Sequence, residues 1–559
     1  MHGGRFTFTT PVLNSHIYTH TTKSIMKTNL FPGILIAFTF FLCAILTVSD
    51  YGVDWDSPEN FDTGEINLHF FETFEPKYLQ YNKANPLHSE LLKPELSLEQ
   101  PASFLPVANI FAALAKQVFH DNLGWLDKFS AYHLSIVLFA TMLLSLLYLF
   151  CLTYFDLMTA VISTASLALF PSFVGFSHVL VKDIPMAFFF FLSIFSCIRA
   201  YETQRTAWII IAGILFGLSI NVKINALFIP IILGVWLVVA NKNLGCLKTF
   251  LDKKWLLLPA MSLTTIYASW PFLWLHPIAH FRAMIRHFVR DIPLQRIEVT
   301  YLGNIFTSGV DVPWHYAPVH LGMSTPLVIL AFSAVGFFLM AKDTIDSKNK
   351  MSPLVLIWLF VVIGKFMFTN VTYSGIRLFL EAVPALCVMA GYGAACMYTR
   401  AFGFMGSLRP AYKHALLSLV FIVLYVPTLM ANIQIHPYQF SYFNELVGGP
   451  GGVYENNLGD LFYSPAFKDG AEWLNRNAPS GSIVKIAEPV HIAKLYLRSD
   501  IVVADRNAAR YDYLMLPHEI DNKPHPSYMV VPHTMTPEMK PVFATYALGA
   551  PVTVIYKNE

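Results

Sequence analysis

The stretch LFPGILIAFTFFLCAILTVSDYGVDWDSPENFDTGE, Leu30–Glu65, sets an apolar run shortly before five carboxylates in the twelve residues Asp54–Glu65. Leu30–Ser49 is long enough to cross a hydrocarbon core of about 30 Å and has no small-residue cleavage site, so it reads as a retained span rather than a removed signal. Asp54, Asp56, Glu59, Asp62 and Glu65 then crowd acid against the membrane. Met26, just before the span, looks like a natural start, so Met1–Ile25 read as an extension.

The rest of the chain repeats the apolar half of this pattern. Of 559 residues, 55% are hydrophobic and 13% charged, which exceeds the need of a soluble core and matches a polytopic membrane protein. A net charge of +2 gives no reason to expect a nucleic-acid partner. Cys43, Cys151, Cys197, Cys246, Cys387 and Cys396 fall mostly inside apolar runs without metal-ligand spacing, so they read as small hydrophobes.

A window of about 20 residues adds spans near Tyr132–Tyr154, Leu157–Phe173, Ile184–Ala200, Ala207–Ile220, Ile224–Ala240, Trp255–Leu275, Gly322–Ala341, Pro353–Thr369, Phe379–Tyr398 and His414–Asn432. The expectation is about 11 transmembrane helices. Lys and Arg gather in alternate loops, at Arg199 and Arg205, Lys242–Lys254, Lys342–Lys350 and Arg400–Lys413, which marks those loops as cytoplasmic. Lys23 and Lys27 put the N-terminus on the same side, and an odd number of spans puts the C-terminus outside. The division is then a cytoplasmic segment 1–29, a membrane domain 30–432 with outer loops 50–131 and 276–321, and an extracytoplasmic tail 433–559. In the tail, GSIVKIA and PVTVIYK read as strands and AFKDGAEWLNRNAP as an amphipathic helix, a small α/β domain whose plainest role is a lid or cap.

Chemistry is expected on the outer face. In the first loop, LEQPASFLPVANIFAALAKQVF has the pattern of an interfacial helix; the acids read as a solvated connector, with Asp56 the exception to back. In GFSHVLVKDIPMAF, His178, Lys182 and Asp183 mark a tiny outer turn. A cation beside an acid there can neutralise a lipid-linked phosphate while the acid orients a cation or hydroxyl; the plainer reading is a snorkelling Lys and a capping Asp. Lys223 and Arg377 sit at outer helix ends, and their sharing one membrane face with Lys182 favours a common anion. Glu381 and Lys365 lie in or near spans, where ionisable groups usually face a cavity or a partner. Trp314, His315 and Tyr316 are candidates to line a substrate pocket, or else interfacial anchors.

These motifs, in this order, together with SWPFLWLHP, YLGNIFTSGVDVPWHYAPVHLGMSTP, YSGIRLFLEAVPA and HPYQFSYFNELVGG, resemble integral-membrane glycosyltransferases of the GT-C type, in the protein O-mannosyltransferase-like group called glycosyltransferase family 39. The resemblance runs nearly end to end. It implies a polyprenyl-phosphate sugar donor (dolichyl- or undecaprenyl-phosphate), an outer-face active site and inverting transfer to an acceptor hydroxyl on a protein, glycolipid or glycan, with Asp56 at the position of the general base. Lys182, Lys223 and Arg377 become candidates for the donor phosphate, and Asp54, Glu59, Asp183 and His178 for assisting acid, acceptor contact or a divalent metal ion. Ser57 stands where the family usually has Glu, with Glu59 a possible substitute, and Leu378 where a His often follows the Arg. The expected setting is a bacterial inner membrane. The rival classes are a secondary transporter, which would place ionisable residues mid-span in paired halves, and a receptor with a ligand-binding tail.

Overall fold

The computed structural model describes residues 29–79, 105–294, 296–487, 489–505, 508–517 and 539–558. The N-terminal segment with Lys23, Met26 and Lys27, and the Pro-broken start of the interfacial stretch at 98–104, lie outside them.

The principal helices are α1 (Phe31–Thr47), α2 (Ser57–Thr73), α3 (Val107–Lys116), α4 (Lys128–Tyr154), α5 (Leu157–Ala168), α6 (Pro171–Val179), α7 (Asp183–Thr203), α8 (Thr206–Ile220), α9 (Ile229–Asn241), α10 (Leu257–Ser269), α11 (Tyr316–Ser324), α12 (Leu327–Asp346), α13 (Met351–Thr369), α14 (Val383–Phe404), α15 (Pro410–Ile435) and α16 (Phe467–Asn477). Short 3₁₀ segments, Ile224–Phe228 and Gly375–Ala382, lead into α9 and α14.

Among the described residues eight helices are long and apolar enough to cross a membrane, or nine if α5 and α6, bent by 60° at Leu169 and Phe170, form one span. The chain is therefore a multi-pass, mostly helical membrane protein, with fewer full spans among the described residues than the eleven expected. The shortfall is α8 and α10, of 15 and 13 residues, which at 1.5 Å per residue reach only about 20 to 22 Å. They pack closely on each other: a Cβ on Gly213 or Gly217 would lie 2.6 Å from Leu258 O or 2.7 Å from Ser262 O.

The acidic stretch is not a solvated connector. From Ser57 it is helix α2, opened by Pro58 in the first turn, with Asn60, Phe61, Asp62 and Thr63 buried. Proline fits there because a first-turn N–H has no intrahelical partner to lose. Gly64 lets α2 lie on α3, since a Cβ there would meet Asn109 O at 2.2 Å.

The long 276–321 connection carries an antiparallel hairpin, β1 (Glu298–Tyr301) and β2 (Asn304–Thr307), and leads into α11. The tail builds a mixed sheet from β3 (Ile483–Ile486), β4 (Val502–Val503), β5 (Tyr513–Leu516), β6 (Lys540–Ala547) and β7 (Ala550–Lys557) in the order β4-β3-β5-β7-β6. The β4-β3-β5 part is parallel, and β7 pairs antiparallel with both β5 and β6. The two stretches read as strands hold β3 and β7, and the amphipathic stretch is α16.

Candidate functional site

Four segments that lead into helices converge at one end of the bundle: Val53–Asp56 before α2, Leu180–Asp183 into α7, Asn221–Lys223 before the Ile224–Phe228 turn, and Gly375–Ala382 before α14. Each brings charge to a helix start.

Arg377 is their hub. Its Nη2 donates to Asp56 Oδ2 and lies 3.7 Å from Asp54 Oδ2, while Nε donates to Asp183 Oδ2 at 3.4 Å. Lys223 Nζ donates to the other oxygen of Asp183. One planar guanidinium thus holds three carboxylates, which a lysine's single point charge would not arrange. Gly375, at φ +55°, shapes this segment: a Cβ there would run into the His320 ring, 2.2 Å from Cε1.

The two neighbouring acids have opposite surroundings. The Asp54 side chain is 2% exposed and that of Asp56 50%. Asp54 accepts from Ser464 Oγ at 3.3 Å and from the Asp56 N–H at 3.3 Å. Burial pushes its carboxyl up to about 6, against the pull of Arg377. Asp56 sits at the N-cap position of α2 without capping it, its carboxylate turned to Arg377 instead.

Lys182 belongs to the same group. Burial pushes its ammonium down to about 8, opposed by the charges of Asp56, Glu59 and Asp183. Glu59 stands in the first turn of α2, on the side of that lysine. The sequence candidates Asp54, Asp56, Glu59, Lys182, Asp183, Lys223 and Arg377 are therefore brought together.

His178 and the aromatic trio are not part of that cluster of charges. His178 presents Nδ1 to Val174 O at 2.8 Å and Nε2 to Ala44 O at 3.2 Å, and its ring stacks on Tyr51 at 4.0 Å, so it ties α6 to α1. Trp314 is exposed. His315 pairs through Nδ1 with Tyr301 Oη at 2.7 Å, and buried Tyr316 accepts from the Gly375 N–H at 3.1 Å, which supports the arginine segment from behind. Asp54, Glu59, His178 and Asp183 do not make a metal-holding set: no group of three or more His, Cys, Asp or Glu side chains suited to a metal ion occurs among the described residues.

Several residues at the site carry no signal in the sequence. Ser464 bridges the acid segment, accepting from the Trp55 N–H at 3.2 Å while donating to Asp54. Tyr496 Oη accepts from Val53 N at 3.0 Å, and His491 Nε2 lies 2.9 Å from Trp55 O. Tyr373, four residues before Arg377, has its phenol pushed up by burial and by Asp56. Only the position of α2 had a readable cue, the Ser57-Pro58-Glu59 start.

A family model described as dolichyl-phosphate-mannose-protein mannosyltransferase matches residues 99–274, just under a third of the chain. Among curated proteins none matches in sequence. Among solved structures, ArnT from Cupriavidus metallidurans bound to undecaprenyl phosphate is similar with a TM-score of 0.48 and 12% identity, over 96% of this chain and 98% of that one. The Archaeoglobus fulgidus oligosaccharyltransferase in its apo form gives 0.46 and 14%, over 84% of this chain and 64% of that one. The mycobacterial arabinofuranosyltransferase AftD gives 0.42 and 12%, over 94% and 39%. Over residues 99–274, which hold Lys182, Asp183 and Lys223, this chain is thus similar to the dolichyl-phosphate-mannose-protein mannosyltransferase family, the integral-membrane glycosyltransferase type whose motifs its sequence resembles.

Proposed function

We propose that the chain transfers a sugar from a polyprenyl-phosphate donor to an acceptor hydroxyl, with inversion and with Asp56 as general base. The observation that carries this reading is the pairing of a half-exposed carboxylate, Asp56, with Arg377 beside Lys182 and Lys223 at the ends of membrane helices. A donor whose prenyl chain stays in the bilayer presents its phosphate and sugar at that level. Basic residues flank the opposite helix ends, at Arg199, Lys242, Lys342, Lys350, Arg400 and Arg409, so the cluster end is the outer one by the positive-inside bias. The setting that fits is a bacterial inner membrane with the tail outside.

The charges suggest how the steps couple. Asp56 takes the acceptor's proton, the acceptor oxygen bonds to the anomeric carbon, and the bond from that carbon to the phosphate oxygen breaks, the electron pair leaving with the phosphate. Protonated Asp56 releases its hold on Arg377 as the phosphate gains charge, so the guanidinium passes from one anion to the other. Lys182 and Lys223 add positive charge on the phosphate side. A transport pathway would set such groups mid-membrane in paired halves; here they gather at one end.

The test incubates the purified full chain with labelled dolichyl- and undecaprenyl-phosphate sugars, hexoses and pentoses, and a membrane extract as acceptor source. Sugar transfer with release of polyprenyl phosphate is expected for at least one donor. No transfer from any of them, by protein that is folded and lipid-supplied, overturns the reading.

A further inference from the structure

Next to the arginine cluster in the chain lies a second, largely buried set of polar side chains that the transfer chemistry does not use. Asn225 and Glu381 are 5% and 3% exposed. Asn225 Nδ2 donates to Glu381 Oε1 at 2.6 Å, and its Oδ1 accepts from Lys365 Nζ at 2.9 Å. Lys365 stands on α13 over the rings of Phe366 and Phe228, at 4.7 and 5.5 Å. The backbone of Glu381 is pinned as well, its carbonyl accepting from Trp358 Nε1 at 2.9 Å.

The spacing relates this set to the site. Asn225 follows Lys223 by two residues, and Glu381 follows Arg377 by four, across a kink at Phe379 in the Gly375–Ala382 segment. The same two segments are therefore joined twice, once through Lys223, Asp183 and Arg377, and once through Asn225 and Glu381. An ionisable group inside a membrane helix is costly and persists where it has a partner and a task. A helix start held at one point can pivot; held at two, it cannot.

We infer that Glu381, Asn225 and Lys365 are positioning residues: a buried strut that sets the separation of Lys223 and Arg377 and so the affinity for the donor phosphate. The inference rests on the reading of those two cations as phosphate-binding. Glu381 acts as a hydrogen-bond acceptor for Asn225 and touches no substrate.

The experiment measures binding of undecaprenyl phosphate to the purified full chain in lipid nanodiscs, per folded molecule, for Glu381→Ala, Glu381→Gln, Asn225→Ala and Lys223→Ala. Behind metal ligands, groups that orient the binding side chain are worth about tenfold or more in affinity, and on the same footing Glu381→Ala and Asn225→Ala are expected to weaken binding about tenfold. Glu381→Gln, which keeps an acceptor oxygen for Asn225, is expected within about twofold of the parent. Should Glu381→Ala fail to fold, Asn225→Ala decides. Unchanged binding in Asn225→Ala overturns the strut, and so does equal loss in Glu381→Gln and Glu381→Ala, since Glu381 would then act as a charge. If Lys223→Ala itself binds normally, the phosphate reading beneath the inference is what fails, and the strut falls with it.

Discussion

The segment Val53–Asp56 meets two regions that hold it in different ways. Towards the tail the contacts are closed hydrogen bonds to uncharged groups, Val53 to Tyr496, Trp55 to Ser464 and His491, and buried Asp54 to Ser464, with Asp54 alone also 3.7 Å from Arg377. Gly52 has no room for a Cβ, which would lie 2.0 Å from Pro465 O. Towards the helix bundle the contacts are charged and half open, with Asp56 on Arg377 and Lys182 in reach. On the tail side hydrogen bonds to uncharged groups hold the backbone; on the bundle side the partners are charges. The tail, expected as a lid or cap, grips the acid segment.

The largest effect is expected from neutralising one acid at a time. Asp56→Asn keeps the shape and removes the proton acceptor, so transfer at saturating donor is expected to fall about a hundredfold or more, with undecaprenyl phosphate still bound. A near-normal rate for Asp56→Asn beside a collapsed one for Asp54→Asn would move the base across to the closed side.

A smaller effect comes from pH on the open side. Lys182, pushed down to about 8, loses its proton well below the ordinary lysine range. Its positive charge is present below about 8 and fades above it, so donor binding is expected to weaken several-fold as pH rises through that value. Lys182→Arg keeps its charge at high pH and should move the decline upward. A binding curve flat from pH 7 to 10 in the parent protein would separate Lys182 from the phosphate.

The smallest effect belongs to the closed side. Asp54, pushed up from 3.8 to about 6, holds more protons folded than unfolded between those values. Its contribution therefore favours the fold below about 4, is lost as pH rises to about 6, and at neutral pH is a cost. Asp54→Asn, which can keep the Ser464 and backbone contacts, should leave transfer within about threefold and melt no lower than the parent at pH 7. A drop in melting temperature at pH 7 that vanishes at pH 4 would show that the carboxylate, as a charge, holds the segment to Arg377.

Much of this molecule is legible along the chain because the signals are local. The apolar runs that hold α1, α4, α7, α13 and α15 announce themselves by length and composition. The strands β3 and β7 and the helix α16 show in their periodicity, and the cations Lys182, Lys223 and Arg377 in their place at helix ends. Counting spans from hydropathy overreaches at α8 and α10, since apolar composition does not say how many residues stay helical. The acidic stretch misleads in the same way, because burial of the first turns of α2 on all sides, Asn60 to Gly64 in succession, is not written in a sequence so rich in polar residues.

Local signals along the chain specify a many-span membrane protein with acid and base gathered at helix ends and a strand-bearing tail. Which charges meet is set by packing. Ser464 reaches Asp54 across 410 residues, Arg377 reaches Asp56 across 321, and Glu381 reaches Asn225 across 156. The same packing turns His178 onto two backbone carbonyls and Tyr316 behind the arginine segment. Composition and spacing set a side chain's kind and its helical face, but the direction in which it finds a partner is fixed by how helices far apart in the chain pack together.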